Sequence, residues 1–169
     1  MPIPENLSHR VWGTGTGLAT GLPQGGKAFS RVPGFFFAEE QVCAIRAKGL
    51  SSAAVTVSGA LYTWGVGKYG VRGTGLLTDS WIPGRVELPL DEDEQICALS
   101  LGWYHVAVAT TRHVYSWGKG TSGQLGLGTW FSQNFPVRVP VYVKFIDVAC
   151  GDQASSKLCM QTQGFAYMF

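Results

Sequence analysis

A Trp-Gly pair that closes a short aromatic segment returns along this chain after 53 residues, first as Trp64-Gly65 and again as Trp117-Gly118. The same pair stands earlier, at Trp12-Gly13. The two later pairs follow Leu61-Tyr62-Thr63 and Val114-Tyr115-Ser116, and each leads through glycines to a proline exit, Ile82-Pro83-Gly84-Arg85-Val86 and Phe135-Pro136-Val137-Arg138-Val139. A regular period near this length means an array of equivalent units, which sets aside most enzyme architectures before any chemistry is considered.

Within one unit the signals are those of short strands. Ile96 to Leu101 is an apolar run ended by Gly102; Val106 to Ala109 runs to a turn at Thr110-Thr111-Arg112; His113 to Trp117 ends at Gly118; and Pro136 to Val139 follows a glycine-rich loop. Four segments of four to six residues, each closed by Gly or Pro, predict a small antiparallel sheet. The preceding unit repeats that order. The array divides into a half unit over 10–37, whole units over 42–90 and 95–140, and a half unit over 143–169. This amounts to about three units, fewer than the roughly four to eight blades that close a propeller. The chain is therefore expected to be a piece of a longer protein, or to be completed by a second copy or by a dedicated partner. The leading and trailing halves are expected to be complementary parts of one sheet.

Hydrophobic residues make up 46% of the chain and charged residues 14%, the balance of a packed domain and not of a disordered one. A net charge of +2 gives no electrostatic case for nucleic acid. No stretch approaches the length of a membrane span, and an intracellular location, cytoplasmic or nuclear, is expected. Cys43 and Cys97 fall at matching places beside Val42 and Ile96 and are expected to be small buried residues. No cysteine pair or cysteine–histidine spacing suits a metal. The run Gly118-Lys119-Gly120-Thr121-Ser122-Gly123 has the look of a phosphate cradle, but it lacks the Gly-Lys-Ser/Thr ending and no helical period follows it. Neither cofactor nor metal is expected.

The strings Gly102-Trp103-Tyr104-His105-Val106-Ala107-Val108, Val114-Tyr115-Ser116-Trp117-Gly118, Gly123-Gln124-Leu125-Gly126-Leu127-Gly128 and Pro136-Val137-Arg138-Val139 resemble a repeat of the regulator of chromosome condensation family. The resemblance covers residues 11–169 with gaps. It implies an all-β fold, a partial propeller of four-stranded blades. Known members of that family include an exchange factor for the small GTPase Ran, ciliary scaffolds, a plant ultraviolet receptor and modules of ubiquitin ligases. Departures are visible: Ser52 and Ala154 stand at about the places corresponding to His105, and Arg112 replaces the glycine kept as Gly59 and Gly164.

The positions that define the repeat are Trp12, Gly13, Trp64, Gly65, Gly102, His105, Trp117 and Gly118. The tryptophans are expected to pack between blades, and His105 to order backbone hydrogen bonds. No nucleophile and acid accompany His105 at a recognisable spacing, and His9 and His113 stand alone, so no catalytic residues are expected. Candidate contacts for a partner are Trp103 and Tyr104 together with the acid run Asp91, Glu92, Asp93 and Glu94, the last read as a solvated loop. The function expected is a non-enzymatic scaffold that binds protein partners. The alternative is an exchange factor, or regulator, for a small GTPase.

Overall fold

The computed structural model describes residues 12–15, 26–31, 41–141, 147–151, 158–162 and 165–168, with side-chain surroundings for 41–141 and 147–151. Two four-stranded antiparallel meanders form its centre. The first contains β3 (Val42–Lys48), β4 (Ser51–Thr56), β5 (Leu61–Gly65) and β6 (Ser80–Val86); the second contains β7 (Ile96–Leu101), β8 (His105–Thr110), β9 (Val114–Gly118) and β10 (Gln133–Arg138). A two-stranded sheet, β1 (Trp12–Gly15) with β2 (Gly26–Arg31), precedes them, and a three-stranded sheet of β11 (Asp147–Cys150), β12 (Leu158–Thr162) and β13 (Phe165–Met168) follows.

Among the described residues, the leading sheet of β1 and β2 and the trailing sheet of β11 to β13 are not paired with each other. Both carry the strand that belongs beside the Trp-Gly position, as β1 and β13. Together they offer five strands for four places.

The second strand of each meander has no polar alternation, and the structure shows why. All six residues of β4 and all six of β8 are buried, because these strands are covered on both faces. Ala53 and Val55 of β4 join Val106, Val108, Tyr115 and Trp117 in a core between the two meanders. On the other face of the second meander, Ala107, Ala109 and Val114 pack with Val139 and Val148. On the far side of the first meander, Ala54 packs with Trp64. The period of two thus sorts each strand between two neighbouring sheets. The first strands lie side by side: β7 packs against β3 and takes β11 on its other flank.

Trp117 ties two meanders together. Its indole is fully buried, and Nε1 donates to the carbonyl of Val71, in the loop after β5, at 2.9 Å. Tyr115 Oη reaches Pro89 O at 2.9 Å, and Asn134 Nδ2 reaches Gly75 O at 3.1 Å. Cys150 N donates to Ser100 Oγ at 2.9 Å and fastens β11 to β7. Gly65 and Gly118 end the third strands with φ of 112° and 100°. A β-carbon there would stand 2.1 Å from Leu50 O and 2.3 Å from Tyr104 O, so both the conformation and the space require glycine.

Two expectations change. Cys43 and Cys97 are exposed, not buried. Each is the extra residue of a β-bulge, between Val42 and Ala44 and between Ile96 and Ala98, which removes it from the alternation that faces the core. The strand registers also pair Ser51 with Gly65 and His105 with Gly118, so the counterpart of His105 is Ser51 and not Ser52. The turn before β8 holds one residue more relative to the glycine than the turn before β4, which shifts the match by one.

The loops after β5 and β9 reuse one scaffold with different side chains. Thr63 Oγ1 donates to Arg72 O at 2.5 Å, and Ser116 Oγ to Leu125 O at 2.7 Å. Asp79 Oδ1 accepts from Gly67 N at 2.8 Å, and Ser132 Oγ from Gly120 N at 3.2 Å. Arg72 therefore occupies the buried place that Leu125 holds in the next unit. Its Nη1 donates to Thr78 O at 2.7 Å, while Nε has no partner among the described residues. Burial lowers the Arg72 pKa, and the charge of Asp79 opposes that.

Two stability measurements follow. Trp117→Phe removes a buried hydrogen bond and leaves the Val71 carbonyl unpaired, so it should cost about 1–3 kcal/mol in urea unfolding, whereas Trp117→Ala should cost about 3–5 kcal/mol or more. Arg72→Leu installs the residue of the matching site and should leave stability unchanged or raise it by about 1–2 kcal/mol, since a poorly satisfied buried charge is replaced by an apolar side chain. A loss larger than that would show that the Arg72–Asp79 pair is a net stabiliser.

Candidate functional site

The strands alternate in direction, so their connections gather at two ends. One end carries the β3–β4 turn, the β7–β8 turn and the long loops after β5 and β9. The other carries the β4–β5 and β8–β9 turns and the link from β6 to β7.

At the first end, Trp103 and Tyr104 form the β7–β8 turn. Trp103 is 41% exposed, and one side of its indole rests on Gly49 of the neighbouring turn, 3.6 Å from where a β-carbon would be. Tyr104 is half-buried and meets Tyr69 edge to face, with centroids 5.4 Å apart. Lys68 Nζ lies 5.1 Å from the Tyr69 ring centre and 5.9 Å from that of Tyr104, and Lys119 Nζ lies 5.5 Å from Tyr69. These distances permit cation–π attraction. Tyr69 has φ of 61° inside a single 3-10 turn, Lys68–Gly70, a left-handed conformation that is costly for a bulky residue. Lys68, Tyr69 and Lys119 were not among the expected contacts. No linear motif joins them, because the cluster draws on loops of two units.

The glycine-rich loop after β9 is not arranged to cradle an anion. Its amides face inward: Lys119 N donates to Tyr104 O at 2.7 Å, Gly120 N to Ser132 Oγ, Ser122 N to Gln124 Oε1 at 2.8 Å, and Gly123 N to Gly120 O at 3.0 Å.

His105 is buried on the face that carries Ala107 and Ala109. A β-carbon on Gly102 would stand 2.1 Å from its Cε1, so the imidazole occupies the space that a side chain at that glycine would need. Its Nε2 has no hydrogen-bond partner among the described residues. Burial lowers its pKa from 6.5 to about 4, and the ring is neutral at physiological pH.

At the other end, the acid run divides. Asp91, Glu92 and Asp93 are exposed, but Glu94 is buried, which corrects its reading as part of a solvated loop. Glu94 Oε2 accepts from Asp91 N at 2.9 Å, and Glu94 N donates to Asp91 O at 3.1 Å. Glu94 Oε1 accepts from Thr110 Oγ1 and lies 3.0 Å from His113 Nδ1. His113, expected to stand alone, is therefore anchored. Burial alone would raise the Glu94 pKa, yet the bonds from Thr110, Asp91 and His113 hold it below its ordinary value. Asp91, Glu94 and His113 offer ligand atoms within 4.8 Å of one another, but both Glu94 oxygens and His113 Nδ1 are already engaged in closing the turn.

Trp64 and Trp117 are buried in the sheet-to-sheet cores, as are Gly65, Gly102 and Gly118. Trp12 and Gly13 pair with Arg31 and Ser30, and their side chains lie outside the described residues, as do His9 and Ala154. Among the described residues no helix is long and apolar enough to cross a membrane.

His105 and Glu94, both buried and both lowered in pKa, give one pH test in which stability falls on acidification. The unfolded chain binds a proton at His105 below pH 6.5 and the folded chain only near pH 4, so stability should fall by roughly 3 kcal/mol as pH drops across that window. Glu94, with its pKa lowered on folding, stabilises above its ordinary value and loses that contribution as pH falls through the lowered one. Replacing His105 by Ser should remove the slope between pH 6.5 and 4 in chemical unfolding. Glu94→Gln should leave that slope intact and cost about 1–3 kcal/mol at neutral pH. An unchanged slope in the His105 variant would contradict the assignment.

Comparison with known proteins places this architecture. The model of the regulator of chromosome condensation (RCC1) repeat matches residues 58–109 and 113–156. The ultraviolet-B receptor UVR8 of Arabidopsis thaliana is 38% identical over 62% of the chain and 22% of its own length. The mitochondrial RCC1 domain-containing protein RUG3 of the same plant is 32% identical over 83% of the chain and 33% of its own length. The mouse secretion-regulating guanine nucleotide exchange factor is 31% identical over 73% of the chain and 30% of its own length. The chain thus spans a third or less of these relatives. Human WBSCR16 superposes with a TM-score of 0.73 at 24% identity, over 90% of this chain and 40% of that one. Yeast Prp20p, described with its binding to Gsp1p and histones, gives 0.72 at 17% identity, over 100% of this chain and 44% of that one. Both confirm the sheets as blades of a partial, unclosed β-propeller. By its repeats, its blades and its relatives, the chain belongs to the RCC1 repeat family.

Proposed function

We propose that this chain is a non-enzymatic propeller module that binds a protein partner through the blade end carrying Trp103 and Tyr104. The observation that carries this reading is an internal comparison. The matching turn of the preceding blade, Gly49-Leu50, is one residue shorter and carries no aromatic, so the fold does not require an exposed indole and a phenol there. Large aromatics that the scaffold can do without, standing on turns fixed by a rigid core, are what a binding surface needs. The polar groups support the same reading. His105 is buried and its Nε2 has no hydrogen-bond partner among the described residues, and Glu94 and His113 are consumed in closing a turn. An intracellular site of action, cytoplasmic or nuclear, goes with this function.

A second reading, exchange activity toward a small GTPase, draws on the likeness to the mouse exchange factor. Exchange needs only a rigid surface that prefers the nucleotide-free GTPase, and no catalytic side chain.

Both readings are tested on the purified chain. Trp103→Ala with Tyr104→Ser should leave unfolding within about 1 kcal/mol of wild type and abolish recovery of partners cross-linked to the wild-type chain. Equal recovery by both proteins would move the binding surface elsewhere. Release of a fluorescent nucleotide from a panel of small GTPases decides the second reading: no acceleration over the spontaneous rate removes it.

A further inference from the structure

Among the described residues, the loops of the blade end that carries Trp103 and Tyr104 hold more basic side chains than acidic ones, Lys68, Arg72 and Lys119 against Asp79. Lys68 is exposed and Lys119 half-buried, and their ammonium groups converge on a single tyrosine ring from two different blades. An aromatic face attracts a cation but does not neutralise it, so two like charges are held close together. Among the described residues, the loops at this end hold one carboxylate, Asp79, which is exposed, accepts from the Gly67 amide through Oδ1 and faces the charge of Arg72. The exposed acids Asp91, Glu92 and Asp93 lie at the opposite end.

The repeat supplies a control for what the fold itself demands. The places of Lys68, Tyr69 and Lys119 are filled in the other blade by Thr121, Ser122 and Val66. Ser122 sits in the matching loop without the left-handed backbone that Tyr69 adopts. The lysines, the tyrosine and its strained conformation are therefore additions to the scaffold. Strain kept at a residue that the scaffold can do without points to a role for its side chain.

We propose that Lys68, Lys119, Tyr69 and Tyr104, flanked by Trp103, form a docking site for an acidic peptide segment of another protein, rich in Asp and Glu. The carboxylates meet the two ammonium groups, and apolar parts of the segment lie on the exposed indole. This rests on the protein-binding reading above and supplies the chemistry of the partner. A protein segment fits better than a nucleic acid because the site is compact. Two lysines at one spot make a short anchor, whereas a phosphate backbone is held by a basic groove that follows its length.

The test uses fluorescence anisotropy on the whole chain. The probe is a short fluorescein-labelled peptide of alternating Asp and Glu with one central Phe; the comparison probes are its Lys counterpart and an oligothymidine of equal length. The acidic peptide should bind more tightly than either, and more weakly as salt rises. Lys68→Gln with Lys119→Gln should weaken it roughly five- to thirty-fold. Tyr69→Gly should weaken it as well while leaving Tm unchanged or raised, since glycine accepts the left-handed backbone. That separates loss of a contact from loss of fold. Asp91→Asn with Glu92→Gln and Asp93→Asn, at the far end, should leave binding unchanged. Tighter binding of oligothymidine, no binding of the acidic peptide, or equal binding by the lysine variant would each overturn the proposal. Cross-linked partners recovered equally by wild type and the lysine variant, yet lost in the Trp103/Tyr104 variant, would overturn the acidic docking site and leave the protein-binding reading standing.

Discussion

Burial of both faces of every central sheet is the constraint on which the remaining structure depends. A strand such as β8 cannot present a polar side, so its valines go to one neighbour and its alanines to the other. Each blade is stable only between two others. The indole of Trp117 then does more than fill space. Its hydrogen bond to Val71 reaches into the loop region of the preceding blade, so the same side chain sets the packing of the sheets and the position of that loop. Loops braced in this way hold side chains at fixed separations across a blade boundary. The Lys68, Tyr69, Tyr104 and Lys119 cluster needs exactly that kind of support, since its members come from two blades.

The two central blades show how the family can vary its surface without altering its frame. The hydroxyls of Thr63 and Ser116 bind the loop carbonyl at matching places, whether the residue that supplies it is Arg72 or Leu125. Asp79 and Ser132 serve as matching acceptors for a loop amide. The frame is specified by backbone groups and small hydroxyls, and side chains that point away from it are free to acquire other uses. Differences between one blade and the next therefore mark side chains that the frame does not require.

The architecture was legible in the sequence because its determinants are local. The Trp-Gly ends, the glycine-closed strands and the proline exits are each contained within a few residues and recur at a fixed spacing. What escaped depends on register or on distance. A β-bulge turns Cys43 and Cys97 outward, and composition carries no sign of it. The match of His105 with Ser51 depends on which residues pair across a turn. Glu94 and His113 lie 19 residues apart on different connections, and only the sheet brings them together. The paired lysines over Tyr69 belong to separate units, so the period that revealed the fold concealed the cluster. Trp103 and Tyr104 were legible because they stand within Gly102-Trp103-Tyr104-His105, one of the strings that carry the family resemblance.

Pro83 and Pro136 sit at matching places in β6 and β10, the outermost strands of the two meanders. A proline offers no amide to a fifth strand, and each lies where the ladder to the inner strand is already irregular. The rim of each blade is therefore a poor template for lateral growth into fibrils or for edge-to-edge fusion with another molecule. An assembly of such blades can enlarge around the wheel but not outward from it, and its circumference remains available for contacts made by side chains alone.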